Sequence, residues 1–193
     1  MKSTRILLSG FTALALLAGC GGSSVADVAD KVVDTAKDAI GFNDSDVMFS
    51  QMMIPHHEQA IEMSDIALDP TVGASDVVKE LATRIKGAQD PEIATMKAFL
   101  TSWKMSLTPD SSMDHSDMMS GMLSADEITK LSTLRGAEFD RAWMTGMIEH
   151  HEGAIEMAKD VLEDGTNSAV RTLATAITTA QDSEILEMKK LLG

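Results

Sequence analysis

This chain of 193 residues has one cysteine, four prolines, no tyrosine and only five phenylalanines and two tryptophans. Cys20 has no partner for an internal disulfide and cannot contribute to a thiolate cage of several ligands. No serine or cysteine nucleophile site is evident. Positive charge is also scarce, with 16 Lys and Arg against 30 Asp and Glu and a formal net charge of −14. A field of that sign repels nucleic acid and anionic lipid and concentrates cations. Strand-like alternation is missing, and the one long apolar run, residues 6–18, is too short to cross a bilayer as a helix. Methionine, by contrast, is abundant: there are 15, beside five histidines.

Four of the five histidines sit in a repeat. The segment MMIPHHEQAIEM, with His56 and His57, returns as GMIEHHEGAIEM, with His150 and His151. The two copies stay in register from Asp46/Asp140 to Met63/Met157. After a shorter second turn the register continues through Leu81/Leu173, Gln89/Gln181, Glu92/Glu184, Ile93/Ile185 and Met96/Met188. The spacing predicts helices over residues 44–68, 76–103, 138–163 and 168–191. Two similar helical hairpins result, and neither can bury its apolar stripe alone. The expected fold is therefore all-α, a four-helix bundle built from two repeated hairpins.

Pro55 and Pro91 fall within helical patterns, where each should cost a backbone hydrogen bond and kink the axis. Asp90, Pro91 and Glu92 also fit the cap and first turn of a restarted helix. In the second copy Glu149 and Ser183 take these places, and Gly153 replaces Gln59, so the two halves need not bind equally. Ser124 to Glu127 has capping-box spacing and predicts a short lead-in helix.

Residues 1–19 have the basic start, apolar middle and small-residue end of a secretory signal. Leu17-Ala18-Gly19-Cys20 resembles the lipobox of bacterial lipoproteins. The resemblance implies that Cys20 is the lipidated first residue of a mature chain, followed by a tether over residues 20–43. The expected order is then repeat 44–103, Met-rich linker 104–123 and repeat 124–193, on a membrane-anchored, extracytoplasmic protein of the periplasm or cell surface.

At 100° per residue Asp46, Met53 and His57 share one face of the first helix, and Asp140, Met147 and His151 share the matching face of the other. His56 and His150 fall at the edge of that stripe beside Met63 and Met157. Gln89 and Gln181 lie on the core stripes of the partner helices with Met96 and Met188, and Glu92 and Glu184 lie at the edge. A buried Gln or Glu needs a polar partner, and the inward His is the candidate. Asp46, Asp140, Gln89, Glu92, Met96, Gln181, Glu184 and Met188 are thus expected around the ligands, several of them orienting imidazoles. Read without a metal, the same residues form a structural hydrogen-bond network and a methionine-filled core.

The linker has no core to fill, yet Met113, His115, Met118, Met119 and Met122 crowd into it. Thioether and imidazole donors suit Cu(I) and do not suit Mg or Ca. Di-iron chemistry needs Glu-x-x-His motifs, and none occurs. His57-Glu58 and His151-Glu152 lack the second His of a zinc protease motif, since Ile61 and Ile155 stand there.

Each half resembles the bacterial family known as domain of unknown function 305. Members carry HH-x-x-A-I-x-M on one helix and Q-x-x-E-I-x-x-M on the next. His56-His57, Ala60-Ile61 and Met63 with Gln89, Glu92-Ile93 and Met96 match, as do the second-copy residues His150 to Met157 and Gln181 to Met188. The resemblance implies a ferritin-like four-helix bundle, often exported, with copper handling in some members. The linker is similar to Met-rich motifs of periplasmic copper-resistance proteins.

The leading expectation is an extracytoplasmic protein that binds, buffers or chaperones copper as Cu(I), with Cu(II) as the other form. Its partners would be the metal ion, the membrane through Cys20 and a protein for copper transfer, with no nucleic acid. The metal set is Met53, His56, His57, Met63, Met147, His150, His151 and Met157, plus the linker residues. Two alternatives stay open: a metal-free structural or protein-interaction bundle at the cell envelope, and an oxidoreductase using bound copper.

Overall fold

A computed structural model describes residues 41–110 and 119–193. The expected signal segment, Cys20, tether residues 20–40, Met113, His115 and Met118 lie outside the described residues. The described elements are all helical: α1 (Asp44–Leu68), α2 (Asp76–Ser102), α3 (Ala125–Thr133), α4 (Gly136–Asp164) and α5 (Ser168–Leu192). No helix among them is long and apolar enough to cross a membrane.

Side-chain caps start four of the five. Asn43 opens α1 through a capping box in which its side chain accepts from Asp46 N and Asp46 accepts from Asn43 N. Ser124 and Glu127 form the same device at α3, as their spacing predicts. Ser75 and Asn167 cap α2 and α5. Both interior prolines are tolerated. α1 runs unbroken through Pro55 and α2 through Pro91, so the restarted helix at Pro91 is not adopted. Each proline removes one hydrogen bond from a helix of at least 25 residues held by packing along its whole length.

α1 packs on α2 and α4 on α5, and the hairpins meet chiefly through α1 and α4, with the short α3 laid on α4. Two aspartates lock the hairpins reciprocally, which corrects their expected role beside the imidazoles. Asp46 of α1 accepts from Thr166 N, Thr166 Oγ1 and Asn167 N in the turn before α5, at 3.1–3.2 Å. Asp140 of α4 accepts from Ser75 N, in the turn before α2, at 3.1 Å. Each aspartate thus holds the turn of the opposite hairpin, because its place near the start of an inner helix faces that turn and lies far from the histidines.

The apolar core is divided in two. One cluster holds Val47 to Ile54 of α1, Ile93 to Leu100 of α2, Ala154 to Val161 of α4 and Ala169 to Ile177 of α5. The other takes up Ala60 to Ala67, Val78 to Ile85, Phe139 to Ile148, and Ile185 with Met188. On all four long helices the changeover falls where the His, Gln and Glu residues sit. A polar layer therefore crosses the middle of the molecule.

Candidate metal centre

His56, His57, His150 and His151 are all 0% exposed. For His56 and His150 this corrects the expected edge position. A helical wheel assigns one interior face, but α1 and α4 each have two, one toward the hairpin partner and one toward the other hairpin. His57 uses the first and His56 the second.

The hairpin-facing histidines meet glutamates. His57 Nε2 donates to Glu92 Oε2 at 2.8 Å, and His151 Nε2 donates to Glu184 Oε2 at 2.8 Å. Gln89 and Gln181, expected to answer these imidazoles, do not bond them. Their amides are buried with neither nitrogen nor oxygen partnered. Glu92 and Glu184 lie three residues further along α2 and α5, and from that position a side chain of the same length as Gln reaches the ring.

The other two histidines meet each other across the seam between α1 and α4. Their ring centroids are 3.8 Å apart and the planes are inclined by 43°. Burial, reinforced by His57 and His151 nearby and opposed by a hydrogen bond to the Ser120 carbonyl, lowers His56 to about 3. Burial, followed by the neighbouring histidines, takes His150 well below the ordinary imidazole range. Both rings are therefore neutral at physiological pH, the form that ligates metal.

The end of the linker straps this pair. His56 Nε2 donates to Ser120 O at 3.2 Å. Gln59 grips the strap twice, receiving Leu123 N and donating to Leu123 O, each at 2.8 Å. Opposite Gln59 in the repeat stands Gly153, where a Cβ would lie 1.9 Å from Ser120 O. At Gly121 (φ +79°) a Cβ would lie 2.2 Å from Glu149 O. The Gln59/Gly153 difference thus has one cause, since one helix holds the strap with a side chain and the other admits its backbone. Met119 packs against the first apolar cluster and Met122 is half-buried.

These bonds define tautomers. A carbonyl or carboxylate only accepts, so Nε2 carries a proton in His56, His57 and His151, and in the neutral form of each ring Nδ1 is a bare lone pair. Among the described residues, those three Nδ1 atoms, both ring nitrogens of His150 and both amides of Gln89 and Gln181 are buried without a hydrogen-bond partner. An unanswered buried polar atom costs about 1–3 kcal/mol, and nine are gathered here. Met53, Met63, Met96, Met147 and Met188 are 0% exposed and Met157 is 8%, all within the apolar clusters flanking the layer. Among the described residues no group of three or more His, Cys, Asp or Glu is arranged as a metal cage. Any cation would need neutral nitrogen, amide and thioether donors in combination.

A family model described as a domain of unknown function, DUF305, matches residues 46–192, and the chain belongs to this family. A DUF305 protein from Streptomyces coelicolor, considered to be secreted, is 33% identical over 77% of this chain and 91% of its own, with a TM-score of 0.72. A DUF305 fragment from Deinococcus radiodurans is 32% identical over 80% of this chain and 99% of its own, with a TM-score of 0.70. CopM in its Cu(II)-bound form is 30% identical over 76% of this chain and 95% of its own, with a TM-score of 0.64. No curated protein matches the chain.

Proposed function

We propose that this protein binds copper outside the cytoplasm, buffering it or passing it to a protein partner. The observation that carries the reading is the cross-layer of four buried histidines and two buried glutamines with nine unpartnered atoms. Glu92 and Glu184 hold His57 and His151 with Nδ1 free, the arrangement by which a carboxylate orients an imidazole ligand and raises its basicity. Met53, Met63 and Met147 add soft donors, and His115 with Met113, Met118, Met119 and Met122 supplies a capture segment. Support comes from CopM, which is solved with Cu(II), Cu(I) and silver bound. The four long helices are read as a ferritin-like four-helix bundle with α3 as lead-in. The lipobox resemblance supports an anchor on Cys20 and a position in the periplasm or on the cell surface.

A competition titration with a Cu(I) chelator tests this. Changing His56, His57, His150 and His151 to Asn should abolish tight binding, and Glu92→Gln should weaken it about 10–100-fold. Unaltered affinity in the four-His variant, with its helical circular dichroism retained, would overturn the reading. The His57–Glu92 and His151–Glu184 pairs favour a second reading, a metal-free structural bundle, which predicts no copper in protein purified from copper-supplied cells.

A further inference from the structure

The seam between α1 and α4 is a groove with the His56/His150 pair at its midpoint, and its two ends differ. At one end Leu123 fills it: the Leu123 methyl carbons lie 3.4 Å, and Met63 Cε 3.5 Å, from where a Cβ on Gly146 would stand. At the other end a cavity of about 330 Å³ remains, floored by Met48, Met52 and Met157 beside Phe49 and Val161. The repeat pairs Met157 with Met63, but it pairs Met48 with Ala142 and Met52 with Gly146. Two thioethers therefore appear only on the open side, where no described residue fills the cavity as Leu123 fills the far end. Methionines present only to fill a core would be expected to close the space.

The mouth is acidic, with Asp44, Asp160 and Asp164 around it and no cationic side chain among the described residues that line it. These carboxylates do not converge as a ligand cage. They raise the local concentration of cations over the thioethers. Met52 stands four residues before His56 on α1, so cavity and histidine pair occupy adjacent turns of one helix face.

The geometry points to this cavity as a separate binding site for a soft monovalent cation, Cu(I) or Ag(I), held by the thioethers of Met48, Met52 and Met157 and lying beside the buried histidine layer. Three neutral thioethers select soft monovalent ions against Mg, Ca and Zn. As a way into the histidine layer the site rests on the copper reading above; as a soft-cation site it stands without it.

The test is titration of the full chain with silver nitrate, followed by the methyl resonances of ε-¹³C-labelled methionine. Two variants accompany the wild type: Met48→Leu with Met52→Leu and Met157→Leu, which keeps the apolar volume, and the four-His→Asn variant. The Met48, Met52 and Met157 methyl signals should move on silver addition in the wild type and in the four-His variant. The triple-Leu variant should bind one silver equivalent fewer. Stationary signals for these three methyls at silver saturation, or an undiminished silver count in a folded triple-Leu variant, would overturn the site. Full silver binding in the four-His variant, with the three methyl shifts retained, would tell against the histidine layer and for the cavity. Should either variant fail to fold, the wild-type methyl shifts decide alone.

Discussion

The first hairpin encloses its glutamate more completely than the second does. The side chain of Glu92 is 3% exposed and that of Glu184 16%, although each accepts from its histidine at the same 2.8 Å. The aspartates differ the same way. Asp46 is fully buried and takes several donors from the facing turn, whereas Asp140 is half-buried and takes Ser75 N alone. Duplication has kept the chemistry of the polar layer while its solvent access diverged. The lesson is that identical residue pairs carry different energies according to what covers them.

The sharpest way to break this likeness is to remove one histidine at a time. His57→Ala leaves Glu92 buried and unanswered and should cost about 3–5 kcal/mol, while Glu184 reaches water and His151→Ala should cost roughly 1–2 kcal/mol less. Urea unfolding of the two variants measures the gap, and equal losses would show that the enclosure of Glu92 is immaterial.

Acid probes what the halves share. His56 is depressed to about 3 and His150 well below its ordinary value in the folded state, so as pH falls below 6.5 the unfolded chain binds more protons at these positions. Their contribution is complete above 6.5 and is lost as pH falls, by up to about 1.4 kcal/mol per pH unit for each histidine. Urea midpoints at pH 7, 5.5 and 4.5 should fall in that order, and replacing both histidines by Asn should flatten the trend.

Asp46→Ala should destabilise by about 2–3 kcal/mol against about 1 kcal/mol for Asp140→Ala, since more buried donors lose their acceptor. Equal thermal shifts would remove that asymmetry. The smallest effects belong to the exposed ion pairs Lys97–Glu58 and Lys189–Glu152, at 2.9 and 2.8 Å. Breaking either by Lys→Ala should change stability by about 0.5 kcal/mol, equally in both halves, and the difference should vanish in high salt.

Much of this was legible in the residues. The 3.6-residue period and the caps place α1 over Asp44–Leu68 and the lead-in helix after Ser124. The repeat makes two hairpins necessary, and helical phase separates His56 from His57. The phase could not say where His56 goes, because a wheel knows nothing of the second hairpin. It also could not choose Glu92 over Gln89, which is a matter of how α2 is rotated and shifted against α1. Met48 and Met52 are not legible from the repeat, because they have no methionine twins in the second copy. Their signal was the lack of one, with Ala142 and Gly146 in the paired places.

By itself, then, the sequence determined a duplicated all-helical chain with histidine, methionine and carboxylate at fixed phases, because periodicity and capping are local properties of the backbone. Only the tertiary structure decided that His56 meets His150, that Asp46 and Asp140 tie turns together, and that the strap, among the described residues, fills one end of the α1–α4 seam and not the other. Those outcomes depend on which faces of distant segments are brought together, and that is settled by packing two hairpins against each other.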